Sequence, residues 1–322
     1  MDVGGAKMSD KKTAAGHLSA LITILIWGTT FVSTKVLLRD FMPIEILVFR
    51  FIIGYITLLI IHPHHIKTIN LKQELYFVAA GICGVTLYFI LENIALTYTL
   101  ASNVGVIISI APFFTAIFAH LFLDREKLTL RFFIGFTVAI MGIILIGFNE
   151  NFILKLNPLG YILAAIAAIV WAVYSILMRK ISEFQYNTIA CTRKVFFYGL
   201  FFMIPAIFMF DFKLRLDRFI NLSNFLNIIY LGLGASALCF VTWNWSVKVL
   251  GAVKTSVYIY IVPVITVVSS AVLLQEKITV IAMVGIVLTL AGLFISEGDQ
   301  IVKLKRKIYD TGIRYKRNYS DR

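Results

Sequence analysis

The sequence predicts an all-α polytopic membrane protein: ten transmembrane helices in two five-helix repeats of inverted topology. Three observations predict it. The 322 residues are 60% hydrophobic and 15% charged, with a mean hydropathy of +0.89, whereas a soluble domain is near half apolar and about a quarter charged. The apolar residues fall in runs of the length that crosses a bilayer, about 20 residues. And "LYFILENIALTYTLASNVGVIISIAP" from Leu87 to Pro112 returns 151 residues later as "LCFVTWNWSVKVLGAVKTSVYIYIVP", from Leu238 to Pro263, with Leu, Phe, Asn, Ala, Val, Ile, Ile and Pro in register.

Ten spans can be read: 18–38, 44–61, 75–97, 101–123, 131–148, 158–178, 188–210, 222–247, 253–274 and 278–296. In the first, Trp27 and Phe31 share a helical stripe; in the sixth, Trp171 and Ser175 do, with Tyr174 beside them. Gly16 and Trp27 match Gly160 and Trp171 at one offset. The second span carries Arg50, and the seventh carries Arg193 and Lys194, expected to snorkel to the nearby interface. The third aligns Gly81, Gly84, Tyr88, Glu92 and Ala95 at three- and four-residue steps; the eighth aligns Gly232, Ala235, Cys239, Trp243 and Ser246. In the fourth and ninth, Pro112 and Pro263 sit at matched positions, where a missing N–H invites a kink. Gly135 and Gly142 in the fifth match Gly285 and Gly292 in the tenth.

Five spans are an odd number, so the second copy enters the membrane from the opposite side. The chain then divides into an N-terminal segment 1–16, a first repeat 17–148, an extracytoplasmic linker 149–157, a second repeat 158–296 and a basic tail 297–322. Placing both termini in the cytoplasm puts 20 Lys or Arg inside and seven outside, leaving out Arg50, Arg193 and Lys194 within spans. The positive-inside rule selects that orientation, in a cell inner (plasma) membrane.

The formal net charge of +13 does not point to nucleic acid, because the basic residues sit between and after apolar runs. Anionic lipid is the partner such a pattern fits. Cys83, Cys191 and Cys239 all lie in apolar runs, without disulfide-framework or zinc spacing. The "HPHH" at 62–65 is a loop with no carboxylate or cysteine to complete a metal set. No cofactor is expected: no nucleotide-binding loop, H-E-x-x-H or G-x-S-x-G occurs. An intramembrane enzyme would need an acid and a base together, and Glu92 is the one acid well inside a span. A channel would need a symmetric ring of charge or carbonyls. One chain already carries both halves, so a monomer can suffice, with a dimer open.

At "LIWGTTFVSTK", "APFFTAIFAHLFLDREKLT" and "VPVITVVSSAVLLQEKIT" the chain resembles the drug/metabolite transporter superfamily, EamA type, over roughly residues 16–296. The resemblance implies ten helices in two inverted five-helix repeats and secondary transport of a small metabolite by alternating access, with amino acid export the leading class. Multidrug or organic-cation export and sugar-phosphate or nucleotide-type exchange stay open. Aromatic amino acid exporters of that superfamily have a central cavity lined by aromatics. The residues expected there are Trp27, Phe31, Tyr88, Glu92, Trp171, Tyr174, Ser175, Trp243 and Tyr258, with Arg50, Pro112 and Pro263 as gating positions. Two readings stand for Glu92, an acid roughly 9 Å inside the third span at 1.5 Å per residue, where insertion scales penalise a charge by about 2.5–3.5 kcal/mol. It binds a substrate amine or coupling proton, or it pairs with Arg50 to lock the bundle.

Overall fold

The computed structural model describes residues 3–123, 129–147, 158–210, 212–274, 279–281 and 283–296. The expected linker 149–157 and tail 297–322 lie outside the described residues. Among the described residues, eight helices are long and apolar enough to cross a membrane. They are α1 (Lys11–Leu37, continuing a helix from Val3), α2 (Pro43–Ile61), α3 (Leu71–Tyr98), α4 (Ala101–Phe122), α6 (Pro158–Glu183), α7 (Thr188–Met209), α8 (Leu222–Leu250) and α9 (Ala252–Leu273). Two further apolar helices, α5 (Leu130–Gly147) and α10 (Met283–Ser296), stand where the fifth and tenth spans were expected. Side chains such as Ile60, Leu121, Phe208 and Val287 are exposed along the outside, as a lipid-facing surface requires.

Local chemistry sets the helix ends. Pro43 opens α2 where a missing N–H costs nothing, and the Glu45 carboxylate accepts the Met42 N–H at 2.7 Å. Asn70 caps α3, accepting from Gln73 N at 2.9 Å, so that helix starts four residues before the expected position 75. Asn187 caps α7 in the same way. Gly251 alone joins α8 to α9, at φ 96°, a conformation open to glycine.

The contacts between helices come in exchangeable pairs. Helix α1 packs on α8 and α9, as α6 packs on α3 and α4; α2 packs on α8, as α7 packs on α3; α2–α7 and α4–α9 touch across the middle. Exchanging each helix with its partner five places on returns the same set, which is a pseudo-two-fold arrangement. Its direction follows from α5 and α10. A Cβ on Gly135 would lie 2.6 Å from the Gly292 carbonyl oxygen, and one on Gly142 would lie 2.5 Å from that of Gly285. Moving up one helix moves down the other, so the equivalent helices run antiparallel. Their two-fold axis lies across the helices, as an inverted repeat demands. Equivalent aromatics meet on this axis: Trp27 with Trp171 at 5.2 Å between centroids, Phe51 with Phe196 at 5.1 Å, and Phe89 with Phe240 at 6.0 Å.

The helices are irregular at matched places. Both α3 and α8 contain a π-helical stretch, Ile82–Leu87 and Tyr230–Leu238, ending at equivalent leucines. Helix α4 breaks at Ser109 and Ile110, and α9 turns through 3₁₀ at Tyr258–Ile261, in each case just before the matched proline. Pro263 cannot bond back to the Ile259 carbonyl, and the Ser109 hydroxyl donates to that oxygen instead at 3.4 Å. Arg193 is buried and does not snorkel. It donates to the backbone oxygens of His62 and His64, the latter at 2.7 Å, and so holds the chain leaving α2. Lys194 pairs with Glu74 at 2.6 Å, and Arg218 with Glu45 at 2.5 Å. No cluster of three metal-ligating side chains occurs among the described residues.

Candidate functional site

A small cavity of about 40 Å³ lies beside the axis. Helix α1 contributes Ile24, Trp27, Thr30 and Phe31; α2 contributes Arg50; α3 contributes Tyr88, Phe89 and Glu92. Ile108, Trp171, Ile259 and Val262 close it from α4, α6 and α9. The π turns help to place the walls. Such a turn frees carbonyls from the helix ladder, and the Ala235 oxygen takes the Trp27 indole N–H at 2.9 Å. Trp171 then stands edge-on to Trp27 and 4.8 Å from Tyr88.

Arg50 and Glu92 both face this space, 1% and 2% exposed. They form no ion pair within 4 Å, so the lock, one of the two readings of Glu92, is not made as a direct contact in this state, although the two charges act on each other across the space and Tyr88 donates to Glu92. Arg50 Nε donates to Ser236 Oγ at 3.0 Å, its guanidinium lies 4.5 Å over the Phe89 ring and 5.3 Å from Phe51, and its Nη1 is buried with no acceptor.

The repeat shows why the cavity is on one side of the axis. Glu92 is equivalent to Trp243, and Thr30 to Tyr174. Trp243 is fully buried, its ring 5.1 Å from Trp27 and 6.0 Å from Trp171. Tyr174 is fully buried and donates to Asn244 Oδ1 at 2.8 Å. Two large rings fill the mirror-image volume; a carboxylate and a threonine leave it open. The polar change between the two copies of one apolar segment therefore makes a single site from a doubled scaffold.

Of the residues singled out by sequence, Trp27, Phe31, Tyr88, Glu92, Trp171 and Arg50 line the cavity. Tyr174, Ser175 and Trp243 stand one layer behind it, Ser175 donating to the Trp171 carbonyl at 3.0 Å. Tyr258 lies apart, bonded to His17 Nδ1 at 2.7 Å. Pro112 and Pro263 sit at the helix breaks, and Val262 beside Pro263 reaches the cavity. Sequence reasoning missed Phe89, Thr30 and Ser236. The Phe89/Phe240 match was visible; nothing in the pattern marks Ser236.

A bundle of apolar helices, doubled about an axis, with a mostly apolar cavity holding a buried arginine and glutamate at the interface of its halves, is the architecture of a multi-pass membrane transporter. The chain belongs to the EamA-like transporter family, which it matches over residues 14–148 and again over 158–297. It is similar to an uncharacterized transporter of Archaeoglobus fulgidus, 26% identical over 88% of this chain and 98% of that one. It is also similar to an uncharacterized transporter of Clostridium kluyveri, 27% identical over 87% and 92%. A probable terminal-alkyne amino-acid exporter of Streptantibioticus cattleyicolor is 24% identical over 85% and 91%. A solved crystal structure superposes with a TM-score of 0.70 at 18% identity, over 88% of this chain and 96% of the other, a likeness of fold.

Proposed function

We propose that this chain is a secondary active transporter that exports a small amphipathic metabolite, with amino acids the leading class, by alternating access. One observation carries the reading: a buried carboxylate, Glu92, hydrogen-bonded by Tyr88 but without a cation in direct contact, beside a wall of Trp27, Tyr88 and Trp171, in a cavity between two inverted halves. Aromatic faces and an acid suit an amine on an apolar body. The amino-acid exporter among the relatives adds support. A cavity of about 40 Å³ has room for about one water, so the described state is too tight at its site for an amino acid. Substrate binding then needs the halves to part. The breaks before Pro112 and Pro263 are the proposed hinges, and the units that move are 17–148 and 158–296, with both termini in the cytoplasm of a plasma membrane.

The test is counterflow in proteoliposomes holding the purified protein, with a panel of radiolabelled amino acids. Saturable uptake stimulated by the same amino acid on the far side is expected. Flux that neither saturates nor responds to the far side would indicate a channel and overturn the reading; so would the absence of any flux across the panel.

A further inference from the structure

We infer that the cavity is a site for a dipolar ion: Arg50 takes a carboxylate of the ligand and Glu92 takes its ammonium, so the ligand carries both charges on a short apolar frame. This rests on the transporter reading and names what that site recognises. Among the described residues, neither buried charge has a direct ionic partner. A buried ion is tolerated when it is paired and its hydrogen-bonding groups are used. Arg50 has five N–H donors, yet a single acceptor, Ser236, holds its Nε, and Nη1 is buried with none. Glu92 accepts the Tyr88 hydroxyl but has no cation within 4 Å. The two act on each other only across the cavity, and each lacks the direct ion pair that one end of a zwitterion supplies.

Ser236 and the Phe89 face fix the plane of the guanidinium, leaving its terminal nitrogens as the fork that binds a carboxylate two-pronged. The net charge of the pair is zero, which disfavours the alternatives. A simple amine would meet Arg50 with like charge, and a phosphate would meet Glu92 with like charge, both in a water-poor site where such repulsion is strong. Ile24, Ile108, Ile259 and Val262 supply an apolar wall for the ligand's side chain.

The test uses the full-length protein in detergent and reads quenching of its tryptophan fluorescence, since Trp27 and Trp171 line the site. The probes are glycine, leucine and phenylalanine, each beside its amide, which lacks the carboxylate charge, and its deaminated acid, which lacks the ammonium. At least one amino acid should bind, and both of its single-charge analogues should bind about 30-fold more weakly or worse. Arg50→Gln should erase the difference between amino acid and amide while keeping that between amino acid and acid. Glu92→Gln should do the reverse. A residue that merely supports the fold would weaken all three probes alike. If a variant fails to fold, the wild-type analogue series decides alone. An amide or acid that binds as well as its amino acid, or no binding by any of the three amino acids, overturns the proposal. Counterflow of an amide at the rate of its amino acid would overturn it too, while leaving the transporter reading intact.

Discussion

Substituting Gly135 by alanine tests the antiparallel seam between α5 and α10. The added Cβ would stand 2.6 Å from the Gly292 carbonyl oxygen and 2.6 Å from the Ser296 nitrogen, where ordinary contact begins at 3.4 Å. The obstacles include backbone atoms, which cannot rotate away, so the helices must separate by about 1 Å or bend. Overpacking of this kind costs roughly 1–3 kcal/mol. In a chain of this length that lowers the midpoint of thermal unfolding by about 2–6 °C. Gly292→Ala meets the same crossing from the other side, its Cβ 2.5 Å from the Gly135 oxygen. Once one methyl has parted the helices the second adds little, so the double variant should cost clearly less than the sum of the singles. Gly234→Ala is the control, because its nearest atoms are a flexible tyrosine ring at 3.6 Å. Thermal unfolding in detergent, followed by light scattering and circular dichroism, reads all four proteins. An unchanged midpoint for Gly135→Ala, or strict additivity of the pair, would refute the backbone-to-backbone seam and the argument for inversion built on it.

Cysteines placed in the 149–157 loop should label from outside intact cells, and those at 124–127 only after permeabilisation; reversed labelling would overturn the orientation. Pro112→Ala with Pro263→Ala restores the missing N–H groups and should slow exchange several-fold while the protein inserts normally; a wild-type rate would remove the hinges. Tyr174→Phe leaves Asn244 Oδ1 without its donor and should cost about 0.6–1.7 kcal/mol of unfolding free energy; no change in a denaturation series would show that bond to be idle. Glu92→Gln should lower transport and flatten its pH dependence with little loss of thermal stability, because glutamine can still accept the Tyr88 hydroxyl and no direct ion pair is broken; full activity with an ordinary pH profile would make Glu92 a bystander.

The fold was legible because the bilayer imposes a coarse rule: apolar runs of a set length must be helices, since lipid offers no partner to a backbone N–H or carbonyl. The matched Asn93/Asn244 and Pro112/Pro263 pairs then exposed the repeat. Both asparagines bridge helices, Asn93 to the Pro43 carbonyl at 3.3 Å and Asn244 to Thr192 at 3.0 Å, which a shared scaffold role explains. The site was legible where a stripe crosses the helix interface, as at Trp27, Tyr88 and Glu92. It was less legible where depth mattered. Tyr258 carries the same aromatic signal as Tyr88, yet the 3₁₀ turn it begins carries its side chain toward His17. Tyr174 shares its stripe with Trp171, and Trp243 stands at the position equivalent to Glu92, yet both stand behind the wall, since a stripe gives a face of a helix and not the distance from it to empty space. Arg50 and Glu92 meet at one cavity without a direct ion pair for a related reason: similar depth in two helices does not bring two side chains within 4 Å, and Ser236, three residues before Cys239 on α8, was the hydrogen-bond partner in reach.

The central claim is that one broken position, Glu92 against Trp243, gives a doubled scaffold its single site. Counterflow of an amino acid in proteoliposomes containing Glu92→Trp tests this most directly, because the substitution makes the first repeat copy the second. Size-exclusion chromatography and thermal unfolding establish that the variant is folded. The account predicts a monodisperse protein that neither binds nor exchanges the amino acid, its cavity filled as the mirror volume is filled by Trp243. A folded Glu92→Trp protein that exchanges the amino acid at the wild-type rate would contradict it.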